Sequence, residues 1–294
     1  MTDVFASLKR NDLSKLTAAL TQDNKYNQDE RLWFIEVDAA GNGRAVVRLL
    51  PRIESEYNEP ANWVRHYRHS FKTPNGKWFR VDCPTTIGRD CPVCEDNTTL
   101  WSSKIQANID IGRLQKRKVT YYMNALIIND PVNPELNGKV KVVTFGKSLF
   151  DKIGLAAKPP FAEEAPIDPF HLFEGANFVL KARMLDGYRN YELSAFEKAG
   201  PIAKTDAEIR KIWESGYALN PFIDPSLFKS YDEIKDKFES FKERNQRPAS
   251  NALDKAIQRK TIARNFDNDE GEVLSDENSK TLDMFNEIAD GAEN

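Results

Sequence analysis

The chain has 294 residues, 40% of them hydrophobic and 30% charged, with a net charge of -3. That length supports a substantial core in one large domain or two small ones, and no apolar run approaches the roughly 20 residues that a membrane-spanning helix needs. The opening MTDVFASLKRNDLSKL lacks the apolar centre of a signal peptide, so a cytoplasmic protein with no membrane partner is expected. Three cysteines, Cys83, Cys91 and Cys94, are too few for a disulfide framework and leave metal ligation or redox chemistry as their uses.

In chain order, Leu8, Leu13, Leu16 and Leu20 recur near helical spacing beside Lys9, Arg10 and Lys15, which predicts a short basic amphipathic helix. From about Trp33 to Phe196 the pattern is that of strands, with β-branched and aromatic residues alternating with polar ones. Strands are expected at GRAVVRLL (43–50), NWVRHYRHSF (62–71), KWFRVD (77–82), RKVTYYMNALII (117–128), GKVKVVTFG (138–146) and NFVLKARML (177–185). Turns fall at Gly41–Gly43, Pro74–Gly76 and Leu136–Gly138, where glycine and asparagine tolerate positive φ.

Helices follow. TDAE at Thr205 reads as a capping box, and SYDE at Ser230–Glu233 repeats it ahead of an apolar face of Ile234, Phe238 and Phe241. Both helices are expected to pack on the β domain, and NALDKAIQRKTIARN (251–265) reads as one more basic helix. From Asn265 to Asn294 ten acidic residues face one basic residue, Lys280, which leaves -9 on that tail and +6 on the rest of the chain. Disorder is expected there, except that Leu282, Phe285 and Ile288 recur at three-residue spacing, as in a segment that folds on a partner. A basic body with an acidic tail predicts an anionic ligand and a tail that competes for the same surface, or one that only solubilises the chain.

Three thiols call for one imidazole to complete a tetrahedral zinc site. His171 is remote in sequence. His66 and His69, three apart in an extended strand, point to opposite faces, and the turn after Lys72 folds His69 back beside Cys83. The expected ligands are therefore His69, Cys83, Cys91 and Cys94, holding one structural Zn2+. A redox dithiol at Cys91-Pro-Val-Cys94 would leave Cys83 unexplained, and the pair does not follow the strand-to-helix pattern of a redox motif. The chain also lacks the His-x-Glu of the zinc deaminases, glycine-rich phosphate loops and a G-x-S-x-G elbow, so it is not expected to be an enzyme.

Lys116, Arg117 and Lys118 precede Tyr121 and Tyr122 in one strand, and alternation sets Lys116, Lys118 and Tyr122 on one face and Arg117 and Tyr121 on the other. Cations that track a backbone beside rings that stack bases are the composition of a groove for single-stranded nucleic acid. Trp78, Phe79, Trp101, Tyr188 and Tyr191 are further candidates, while Trp33, Trp63 and Trp213 read as packing residues.

DAAGNGRAVVRLLP, HSFKTPNGKWFRVDCP, CPVC, KRKVTYYMNALIINDPVNPELNGKV, FGKSLFDKI and FEGANFVLKARMLDGYRNYE, in order from Asp38 to Glu192, resemble the single-stranded DNA-binding (helix-destabilising) proteins of T-even-type bacteriophages, the gene 32 protein family. The resemblance implies an α+β chain with a mainly β core. This would be an OB-fold over 22–250, with a zinc-binding subdomain at about 63–101 and packed C-terminal helices at about 205–245. It implies the same four ligands and a basic, aromatic DNA cleft that adds Arg48 to the candidates above. It further implies an N-terminal arm, 1–21, that self-associates cooperatively on DNA, carried here by Lys9 and Arg10. A linker and acidic tail, 251–294, would recruit replication and recombination proteins. The expected function is cooperative, largely sequence-independent single-stranded DNA binding in phage DNA replication, recombination and repair. A zinc-containing RNA-binding module or a nucleic-acid-processing enzyme is the alternative.

Overall fold

The computed structural model describes residues 29–72 and 76–245. The expected N-terminal helix with Lys9 and Arg10, most of the Pro74–Gly76 turn, the basic helix at 251–265 and the acidic tail lie outside the described residues. The chain divides into two units, Met1–Leu32 and Trp33–Asn294. Everything below belongs to the second. No helix among the described residues is long and apolar enough to cross a membrane.

The elements are β1 (Gly43–Leu49), β2 (Val64–Lys72), β3 (Trp78–Asp82), α1 (Pro92–Ser102), α2 (Gln106–Leu114), β4 (Lys118–Asn129), β5 (Val140–Phe145), α3 (Lys147–Ala157), β6 (Phe178–Leu185), β7 (Tyr188–Asn190), β8 (Ala195–Phe196), α4 (Asp206–Glu214) and α5 (Tyr231–Asn245). All six expected strands are present. The fold is mixed α+β around a mainly β sheet, with β5, β4, β1, β6 and β7 in lateral order and β2 joining β3 to β4.

The 12-residue β4 organises the sheet. Its first half pairs with β2, from Lys118 opposite Arg68 to Tyr122 opposite Val64, and its second half pairs with β1, from Ala125 opposite Leu49 to Asn129 opposite Val46. β5 covers the other edge from Tyr121 to Leu126. A single strand thereby links the central sheet to the β2–β3 hairpin.

Period-two alternation places Ala45, Val47 and Leu49, Met123, Ala125 and Ile127, Val143 and Phe145, and Phe178, Leu180 and Ala182 in one core, closed by Leu149 and Ile153 of α3. On the opposite face Leu50, Leu126 and Val140 form a smaller cluster against which Ile212 of α4 packs. The Trp213 indole N–H donates to the Arg52 carbonyl at 2.7 Å and pins α4 there.

Both capping boxes form: the Glu208 N–H donates to Thr205 Oγ1 at 3.3 Å, and the Ser230 N–H to Glu233 Oε2 at 2.9 Å. α5, however, packs on the β2–β3 hairpin rather than on the main sheet, burying Ile234 and Phe238 with Phe71, Phe79 and Val81. Helices α1, α2 and α3 interrupt a region that reads as strands throughout. They are only 9 to 11 residues long, and α1 buries just Pro92 and Val93, so its sequence carries no apolar stripe.

Candidate metal centre and nucleic-acid interface

Four donors converge where the hairpin meets α1. His69 lies opposite Val81 in the β2–β3 ladder, and the Cys83 N–H extends that ladder by donating to the Tyr67 carbonyl at 2.8 Å. A 3-10 turn over Pro84–Ile87 ends at Gly88, whose φ of 73° reverses the chain toward Cys91. Cys91 caps α1 with Pro92 at the first helical position, and Cys94, three residues on, falls on the same side of the helix. Cys83 Sγ is 3.5 Å from Cys94 Sγ, His69 Nε2 is 3.5 Å from Cys91 Sγ and 3.4 Å from Cys94 Sγ, and all four ligand atoms lie within 4.8 Å of one another. Such a set can hold one metal ion.

The imidazole is oriented for that task. His69 Nδ1–H donates to the Gln115 carbonyl at 2.9 Å, which leaves Nε2 facing the sulfurs. Burial acts to lower the His69 pKa, but hydrogen bonds to Cys83 and Cys94 outweigh it and push the value up to about 9. The thiols divide: hydrogen bonds from Cys91 and Cys94 hold Cys83 far down, while Cys83 and Cys94 drive Cys91 far up. Three sulfurs this close cannot all ionise without a cation among them.

The CPVC pair does start a helix, so the absence of a strand-to-helix junction does not argue against redox chemistry here. The third thiol and the imidazole distinguish the cluster from a dithiol. His66 points to the other face, where its Nε2 meets Asp82 Oδ1 at 3.1 Å.

The strands β2 and β4 that carry His69 also present two surfaces. On the His69 side, Arg65 and Arg117 both lie over the Tyr67 ring, at 5.2 and 4.1 Å from its centroid. Arg117 is fixed there by a hydrogen bond to Thr85 Oγ1 and lies 3.9 Å from Cys94 Sγ. Tyr121, opposite Arg65 in the ladder, stacks on Phe150 of α3 with centroids 3.6 Å apart and planes at 4°. On the other side, Tyr122 stacks on Phe222 at 4.9 Å, and His66 is edge-on to both Tyr122 and Phe228. Arg68 there binds Asp82 at 2.7 Å.

The family described as "gp32 DNA binding protein like" matches residues 41–242. This chain belongs to the gp32-like DNA-binding protein family. It is 35% identical over 241 residues to the single-stranded DNA-binding protein of Enterobacteria phage T4, covering 78% of this chain and 77% of the relative. It is 36% identical over 219 residues to the protein of that name from Enterobacteria phage T2, covering 72% and 70%. The segment matched to the gp32-like family contains the whole Cys3His cluster and both surfaces of β2 and β4.

Within this gp32-like domain the predicted contact residues separate. Arg117 lies beside the Cys3His cluster, Tyr121 is on the same side four residues further along, Lys116 is exposed just ahead of Arg117, and Lys118 and Tyr122 face the opposite side. Trp78 is half-buried, with the Arg80 guanidinium 4.2 Å from its centroid. Trp101 is 45% exposed and packs on Gly112, where an added Cβ would stand 3.0 Å from its indole nitrogen. Tyr188 is half-buried on β7, at the far end of the sheet.

Three of the expected contact residues are buried. Phe79, 1% exposed, is the centre of the hairpin core, where it meets Phe71, Phe238 and Phe241. Tyr191, 5% exposed, packs in the main core. Arg48, 2% exposed, donates from one terminal nitrogen to the carbonyls of His171 and Gly200, and burial lowers its pKa. All three side chains are closed off from solvent in this structure. In the other direction, Arg65 and Tyr67 escaped notice, although alternation in VRHYRH places them on the face of His69.

Proposed function

We propose that this chain is a single-stranded DNA-binding protein without catalytic activity, and that the strand lies on the side of β2 and β4 that carries Arg117 and Tyr121. The observation that carries the reading is a run of ordered rings and cations on that side: Tyr121 stacks on Phe150, Arg65 lies opposite Tyr121 in the ladder, and Arg65 shares the Tyr67 ring with Arg117, which reaches Cys94 Sγ at 3.9 Å. Stacking offers every base a platform worth ~1-3 kcal/mol, and cations along the groove make binding independent of sequence and sensitive to salt. The names of the phage T4 and T2 relatives support the same ligand.

The metal is read as zinc, and its role as structural. Zn–S bonds of about 2.3 Å and Zn–N bonds of about 2.0 Å give tetrahedral edges of about 3.5 to 3.8 Å. The 3.4 and 3.5 Å separations in the cluster fit that shell, and three thiolates with one imidazole fill it. When bound, the ion supplies cross-linking rather than chemistry: His69, Cys83, Cys91 and Cys94 would tie β2, β3 and α1 together, and Arg117 rests against that unit. The sheet is read as an OB-type fold, supported by β1 lying between β4 and β6 with α3 packed across the core.

The N-terminal arm, through Lys9 and Arg10, is assigned to cooperative self-association, and the acidic tail to replication and recombination proteins and to competition with DNA. Titration with oligo(dT), oligo(rU) and duplex DNA tests the reading. Oligo(dT) is expected to bind tighter than duplex, and deletion of residues 265–294 to tighten it further. Preference for structured RNA would replace the reading with an RNA-binding module, and turnover of a labelled oligonucleotide with an enzyme.

A further inference from the structure

We propose that Arg65 is a phosphate contact and that Tyr67 is a positioning residue that holds Arg65 and Arg117 as a pair beside Tyr121. The inference rests on the single-stranded DNA reading above and adds to it two residues that no resemblance assigns.

The first support is placement. Arg65 is opposite Tyr121 in the ladder and Tyr67 is opposite Val119, so both lie on the face where Arg117 and Tyr121 already stand. Trp63, one further step along the same face, is edge-on to Phe150 at 4.9 Å, and Phe150 is the ring beneath Tyr121. The strip therefore runs without a break from the metal cluster to α3.

The second is the shared ring. Both guanidinium carbons sit over Tyr67, so their separation cannot exceed the sum of 5.2 and 4.1 Å. Two like charges within that distance repel each other, and the Tyr67 quadrupole offsets part of that cost. Tyr67 itself is partly buried and packs against the hairpin core. The ring is thus fixed by the metal-bearing module, and the cations are fixed by the ring.

The third is contrast with the other face of the same strand. Arg68 spends its charge on Asp82. Among the described residues neither Arg65 nor Arg117 has a carboxylate partner, and Arg65 is exposed. A polyanion is the partner that fits the exposed Arg65 guanidinium, set beside a second cation and stacked aromatics.

The test is the salt dependence of oligo(dT) binding to the full chain, read by anisotropy of labelled DNA. For single strands each phosphate contact contributes about 0.7 to the slope of log K against log salt, so Arg65→Ala should make the slope shallower by about 0.7. Arg68→Ala should leave it unchanged. Tyr67→Leu, which keeps apolar bulk and loses the π face, should weaken binding about two- to five-fold and make the slope shallower. Tyr67→Phe should restore the wild-type slope, with zinc content unchanged in every variant. A wild-type slope in Arg65→Ala, an equal change in Arg68→Ala, or identical behaviour of the Leu and Phe variants would overturn the proposal. If the unaltered chain fails to bind oligo(dT) at all, the single-strand reading itself falls.

Discussion

The main sheet and the metal hairpin solve the same packing problem with unequal means. The sheet core gathers Val47, Met123, Phe145, Phe178 and Leu180 from four strands and adds a helix. The hairpin core contains Phe71, Phe79, Val81 and Val93 with two cysteines, and reaches completion only by borrowing Ile234 and Phe238 from α5, more than 130 residues away. A cluster that small cannot offset the entropy of ordering its own chain by burial alone. The lesson is that the two regions should fail separately: the sheet through loss of apolar volume, the hairpin through loss of the ion its Cys3His cluster is proposed to hold.

The largest effect should come from removing the ion. Structural zinc contributes on the order of 10 kcal/mol of binding free energy to small domains, so chelation or His69→Ala should melt the hairpin while the sheet stays folded. His66→Ala should retain the metal, since His66 faces Asp82. Metal stoichiometry with hydrogen exchange at β3 and β5 separates the outcomes.

Next in size are two cavities. Phe79→Ala and Phe178→Ala should each cost about 3–5 kcal/mol. The first should appear as weakened metal retention and exchange confined to the hairpin and α5, the second as a lower global melting temperature with the metal site intact.

Arg48→Met sharpens the contrast between burial and binding. Loss of its charged hydrogen bonds to the His171 and Gly200 carbonyls should cost about 1–3 kcal/mol in stability. Affinity for oligo(dT) should not change, because the side chain never reaches the surface.

The smallest effect concerns the seam between α5 and α1. Tyr231 donates to Glu95 Oε2 at 2.6 Å, and that carboxylate pushes the phenol pKa up to about 12. Because the folded value lies above the ordinary value of about 10, the bond stabilises fully below pH ~10 and is lost as pH rises toward the folded value. Melting curves of Tyr231→Phe should therefore lie slightly below wild type at neutral pH and converge with it at alkaline pH.

What was legible in the sequence divides along the same boundary. Period-two alternation with turn glycines located every long strand, and cysteine spacing with a turn between Lys72 and Trp78 singled out His69 over His66. Short helices were invisible because α1 and α2 pack on each other beside the Cys3His cluster rather than through an apolar stripe. Arg48, Phe79 and Tyr191 show the limit of reading composition alone. A cation or ring in a strand has the same alternation whether its face meets solvent or a second layer, and the layers are fixed by α5 and by the 168–200 segment, both distant in sequence. Arg65 and Tyr67 were hidden for the opposite reason, lying within a run valued for its histidines.

Photocrosslinking of oligo(dT) to the zinc-loaded chain, with mass spectrometry of the adducts, tests most directly where the strand lies. Adducts are expected in the β2 peptide at Tyr67 and the β4 peptide at Tyr121, with their yield falling as salt rises. Adducts confined to the Tyr122 and Phe222 side, or to β7 around Tyr188, would contradict the account.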